Sequence, residues 1–232
     1  MGNKYVDFVS DEHFEKCVKK VCDTYNEEII LNDLELQRNG IDSIKMTFDM
    51  ICEEKDFRSW KIKESYRQKD KTVGNAIGRF HQELLGGVEG WTDLGDGDES
   101  KLDLKKNDNT IWMELKNKDN TINGDSGEKV REKLLIQIKK HNAVGYFAYF
   151  VPKNKKSEDK DWMKSKGENH RDLRRISGSK VYELVTGKPN SLEQVWKALP
   201  LAIKKVCQKN SLLSKEEQIE FHNWFNSAYS KS

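Results

Sequence analysis

A chain of 232 residues is long enough to bury a substantial core. It is 34% charged, but six Trp, seven Tyr and nine Phe are too many for a disordered charged tail. Its 41 Lys+Arg stand against 39 Asp+Glu, a net charge of +2, which excludes a highly basic architectural protein while leaving room for local basic patches. No apolar run approaches the roughly 20 residues that span a bilayer. The opening MGNKYVDFVS has no signal-peptide core, and Val6 stands where a myristoylation motif needs Ser or Thr. Cys17, Cys22, Cys52 and Cys207 form no CxxC pair. The first three fall on apolar helical stripes, so they are expected to be reduced core residues of a cytoplasmic protein.

Helices come first. Phe14, Cys17, Val18, Val21, Cys22, Tyr25 and Ile29 recur at helical spacing, as do Ile41, Ile44, Phe48, Ile51 and Cys52 after a turn at Asn39-Gly40. Val73, Ala76, Ile77, Phe80 and Leu84 mark a third helix, which Gly86-Gly87 is expected to end in a left-handed cap. Each stripe predicts one buried face. The glycine- and acid-rich stretch 91–100 is expected to be a loop anchored by Trp91. Strands are predicted at 102–104 and 110–116, joined by an Asn-Asp-Asn turn. A polar loop and a helix over 128–142 follow. The apolar run 144–151 predicts a strand covered on both faces. Residues 153–175 are expected to be a surface loop or a mobile arm that meets polyphosphate. Residues 180–186 are expected to be a strand, 191–207 a helix bent at Pro200, and Ile219, Trp224 and Phe225 part of a closing helix.

The chemistry concentrates in LDLKKNDNTIWMELKNKDNT. Side chains alternate along a strand, so Ile111, Met113 and Leu115 point to a core while Glu114 and Lys116 share the other face. A hairpin brings Asp103 alongside. Two carboxylates and a backbone carbonyl, here that of Leu115, suit a hard divalent ion such as Mg²⁺. Such an ion activates water and stabilises charge on a phosphodiester, and Lys116 can orient or deprotonate the water. Acid-x-Lys also occurs at Glu53/Lys55, Glu99/Lys101, Asp103/Lys105 and Glu158/Lys160, but only Glu114/Lys116 lies in a strongly apolar strand with a second acid at hairpin distance. The plain alternative is a cross-strand salt bridge on a solvated face, contributing under ~1 kcal/mol. The glycines at 86, 87, 90, 95 and 97 fit neither a P-loop nor GxGxxG.

This Asp…Glu-x-Lys unit resembles the metal site of the PD-(D/E)xK nuclease superfamily. More narrowly, GNAIGRFHQELLGGVEGW (74–91), ELKNKDNT (114–121) and ISGSKVYELVTG (176–187) resemble a family of type II restriction endonucleases that cut double-stranded DNA at GGNCC or GGWCC. The likeness runs from about Lys71 to Cys207. It implies an α/β fold: a PD-(D/E)xK restriction-endonuclease-like core over 71–210, a central mixed sheet flanked by helices. A helical N-terminal region over 1–70 precedes it and a closing helix over 211–232 follows. It implies Asp103 and Glu114 as metal-binding acids and Lys116 as the catalytic lysine, with Leu102 where the superfamily motif has proline. Asn117, Lys118, Asn120 and Thr121 resemble the family's polar run and would contact phosphate or bases, unless they serve as loop chemistry. Superfamily nucleases often place a helix acid near the metal. Glu83 is the nearest candidate for that, whereas His81 is expected to be a hydrogen-bonded structural histidine.

Base reading would fall to Arg171, Arg174, Arg175 and Lys180, with Lys153, Lys155 and Lys156 at phosphates. A near-palindromic site implies a homodimer, and a restriction enzyme implies a cognate DNA methyltransferase as genetic partner. The competing readings are a repair or recombination nuclease of the same fold and a non-catalytic DNA-binding module.

Overall fold

In the computed structural model, residues 2–26, 31–38, 40–119, 124–163, 170–208 and 213–231 are described. The elements in chain order are α1 (Asp11–Asn26), α2 (Asp33–Arg38), α3 (Ser43–Cys52), α4 (Phe57–Gly86), β1 (Trp91–Asp93), β2 (Leu104–Lys106), β3 (Ile111–Lys118), α5 (Gly124–His141), β4 (Val144–Val151), β5 (Lys156–Ser157), β6 (Asp159–Asp161), β7 (Leu173–Ser177), α6 (Ser179–Thr186), α7 (Ser191–Cys207), α8 (Lys215–Ala228) and β8 (Ser230–Lys231). The fold is α/β, as expected. Six strands form a mixed sheet in the order β1-β2-β3-β4-β7-β6, with β3, β4 and β7 parallel and the outer pairs antiparallel.

Helices cover both faces. On one, Val130, Leu134 and Ile138 of α5 pack on Leu102, Trp112, Phe147, Tyr149 and Leu173. On the other, α1, α4, α6 and α7 pack on Met113, Leu115, Tyr146, Ala148, Phe150 and Ile176. β4 therefore has both faces buried, which accounts for its unbroken apolar sequence. The third helix is far longer than its stripe suggested. α4 runs for 30 residues, roughly 45 Å. No proline interrupts it, and the Asp56 side chain caps its first turn by accepting from the Ser59 amide at 2.7 Å.

Five expectations are corrected. Residues 180–186 lie in α6 and not in a strand. Val181, Tyr182 and Val185 share one buried helical face, and Gly187 at φ +72° supplies the left-handed cap. Gly87, by contrast, has φ −85°; glycine is needed at 86 and 87 because a Cβ would strike Asp93 and the His13 ring respectively. The stretch 153–175 is not merely a loop, for it holds β5, β6 and the start of the interior strand β7. The stretch 91–100 begins with a strand. Finally, α3 has no buried residue: Ile44, Phe48 and Ile51 are exposed, and so is Cys52. A stripe identifies the apolar face of a helix, not what covers it. Cys17 and Cys22 are buried as expected, and α7 passes through Pro200 unbroken.

Candidate active site

The site grows from the hairpin of β2 and β3. Leu104 pairs with Met113 and Lys105 with Trp112, so Asp103, one residue earlier, stands beside Glu114 on the same face. The Asp103 amide donates to the Met113 carbonyl at 3.0 Å, and its Oδ2 accepts from the Leu115 amide at 2.7 Å. The side chain thus takes over a ladder amide where β2 has not yet begun. Glu114 is a buried carboxylate, 6% exposed. Lys116 Nζ donates to its Oε1 at 2.6 Å, and Lys133 Nζ of α5 approaches its Oε2 at 3.4 Å. Two acids and two amines therefore meet at one rim of the sheet. Burial and the neighbouring Glu114 charge raise the Asp103 carboxyl above its ordinary range, against the Leu115 amide, Lys116 and Lys133, which favour its ionised form.

α4 closes the other side of this corner. Gln82 donates to Asp93 Oδ1 at 2.7 Å and to the Asp103 carbonyl at 3.2 Å. Glu83 is instead engaged by Lys20 at 2.7 Å and Arg79 at 3.1 Å, so the side chain that α4 brings to the acid's own residue is Gln82. His81 is buried on the far side of the sheet, 2.7 Å from the Tyr182 hydroxyl and stacked on Phe150. That is the structural histidine expected.

The chain matches the model of the Eco47II restriction endonuclease family over residues 6–208. It is 32% identical over 216 residues to the type II restriction enzyme Sau96I of Staphylococcus aureus, covering 88% of this chain and 81% of that one. It is 36% identical over 161 residues to the type II restriction enzyme Eco47II of Escherichia coli, covering 65% and 66%. The chain belongs to the Eco47II restriction endonuclease family. It is accordingly a type II restriction endonuclease, an enzyme of site-specific DNA cleavage.

The endonuclease does not gather all its sequence-predicted DNA contacts in one place. Asn117 and Lys118 end β3, next to the acids, and Asn120 lies outside the described residues. Lys153, Lys155 and Lys156 follow β4 at that same end, exposed. Arg175 faces the α5 side, packed on Phe147 and Tyr149, and its Nη2 reaches Asp119 Oδ1 at 2.5 Å. Arg174 points to the opposite face and binds Asp159 at 2.8 Å and Asp161 at 2.7 Å. Arg171 precedes β7 at the end where β3 and β4 begin, and Lys180 on α6 pairs with Glu183. Lys133 carried no motif, and Gln82 sat within the 74–91 block with no role assigned to it. Lys133 stands three residues after Val130, at the margin of α5's apolar stripe, and only the fold shows which strand that margin meets. Among the described residues no helix is long and apolar enough to cross a membrane.

Proposed function

We propose that Asp103, Glu114 and the Leu115 carbonyl hold a divalent cation, Mg²⁺ in the cell, and that Lys116 acts on the water attacking a DNA phosphodiester. The single observation carrying this is the pairing of Asp103 beside Glu114, with an amine 2.6 Å from the buried acid. The donor set suits such an ion. Among the described residues no cluster of three or more His, Cys, Asp or Glu forms. Two carboxylates leave coordination positions for water and phosphate oxygens, the arrangement that Mg²⁺ favours. A raised Asp103 carboxyl beside a second acid is also relieved by positive charge between them. When bound, the ion supplies Lewis acidity and a more acidic water.

This chain's residues supply the rest. Glu114 fixes Lys116 at the rim, where its amine orients water and offsets charge growing on the phosphate. Lys118 and Arg175, on the α5 face with Glu114 and Lys116, take the DNA backbone or bases; Asn117 joins them from the same end of β3, on the face toward Gly78 of α4, and the exposed lysines after β4 extend that track. The target on this reading is a GGNCC-like site in double-stranded DNA. It is cut by a homodimer with one site per strand and guarded by a cognate DNA methyltransferase in the same cytoplasm. The helical region 1–70 and the closing helix 211–232 flank a nuclease core of 71–210, with α4 joining the first to the core.

The test is to incubate the protein with unmethylated plasmid and Mg²⁺ and to sequence the ends. Discrete fragments with common GGNCC-type ends are expected. Smears, nicks alone or no metal-dependent cutting would refute the proposal.

A further inference from the structure

Lys133 lies on a different element from the three residues of the motif, yet it meets both acid-bearing segments. Its Nζ donates to the Lys101 carbonyl at 2.8 Å and sits 3.4 Å from Glu114 Oε2. The first contact is a full hydrogen bond. The second is an electrostatic approach longer than a good one. The amine is therefore anchored to backbone two residues before Asp103 and faces Glu114 from that anchor.

Neither end of the link is loose. Lys101 itself has φ +54°, a conformation that a non-glycine residue rarely adopts. The next residue, Leu102, is buried in the same cluster as Trp112 and as Leu134, which directly follows Lys133 on α5. Packing thus holds the α5 backbone in register with both strands, and the ammonium spans the last gap. Glu114 has each oxygen facing a different lysine: Oε1 at Lys116 and Oε2 at Lys133. A buried carboxylate needs such partners.

We propose that Lys133 is a positioning residue of the active site: tethered to the Lys101 carbonyl, it aims Glu114 Oε2 toward Asp103 and competes with the divalent cation for that oxygen. This rests on the cation site proposed above. Two consequences of opposite sign follow. Removing the amine deletes a positive charge beside the cation's ligand, so cations bind more tightly. It also releases Glu114 and the Asp103 segment from their common tie, so the bound arrangement is less often productive and turnover slows. A residue that merely stabilised the fold would weaken both when removed.

The experiment measures Mn²⁺ binding to the full chain without DNA, by electron paramagnetic resonance, and single-turnover cleavage at saturating Mg²⁺. The proteins are the wild type, Lys133→Met, Lys133→Arg and Glu114→Gln. Lys133→Met is expected to bind Mn²⁺ about three- to tenfold more tightly, while cutting about tenfold more slowly. Lys133→Arg, which keeps the charge, is expected to retain wild-type Mn²⁺ affinity and to recover most of the rate. Weaker or unchanged Mn²⁺ binding in Lys133→Met, or an Arg variant that behaves like Met, overturns the role of Lys133. Glu114→Gln separates the two readings. If it binds Mn²⁺ like the wild type, the cation site itself is wrong. If it loses binding while Lys133→Met matches the wild type, only the inference about Lys133 fails.

Discussion

The two faces of the sheet bury polar groups in different ways. On the face toward α4 and α6, His81 and Tyr182 share a 2.7 Å hydrogen bond, sealed between Phe80 and Phe150. Burial drives the His81 imidazole down to about 3, so the pair stays neutral. On the face toward α5, Asp103 and Glu114 stand side by side and two lysines converge, each about a third exposed. The arginines of β7 repeat the contrast. Arg174 is consumed by two aspartates on one face, and Arg175 lies on the other beside Asp119. Burial of polar groups does not by itself mark chemistry. What distinguishes the α5 face is two acids side by side, met by two partly exposed lysines.

Substitutions should act on one face at a time. The largest effect is expected from Lys116→Ala or Asp103→Asn, which should slow cleavage by a factor on the order of a thousand while leaving the circular dichroism melt nearly unchanged. On the sealed face the readout is stability. The folded His81 sits at about 3 and an ordinary histidine at 6.5, so between those values the unfolded chain binds more protons. His81's contribution is whole above pH 6.5 and is lost as pH falls toward 3. Urea unfolding at pH 7.5 and pH 5 should differ by about 2 kcal/mol from this group. His81→Gln, which keeps a neutral polar partner for Tyr182, should flatten that dependence. If His81→Gln leaves the pH dependence unchanged, the sealed-pair account fails. Smaller still, Arg175→Ala should weaken DNA binding and reduce the salt slope by about one. Arg174→Ala should leave DNA affinity alone and cost under ~1 kcal/mol of stability. Equal effects of the two arginines on DNA binding would erase the difference between the faces.

What could be read in the sequence follows the same division. Alternation within 111–116 placed Glu114 and Lys116 together because a two-residue period is a local property, and the Asn-Asp-Asn turn brought Asp103 to them. β4 was legible because it is apolar on both sides. β7 was not: Leu173 and Ile176 bracket two arginines, and only pairing with β4 makes that a buried strand. α6 looked like a strand because Val181, Tyr182 and Val185 favour one locally, and Gly187 decides against it. Lys133 and Gln82 join the site through packing between elements far apart in the chain, which no spacing rule encodes.

The central claim is that Glu114 holds the reacting cation beside Asp103. The most direct test is cleavage of a GGNCC-containing duplex by Glu114→Gln in Mg²⁺, with binding to the same duplex measured alongside. Loss of cutting with DNA binding retained is the predicted result, because the shape survives and only the charge is gone. Cutting at the wild-type rate would contradict the account.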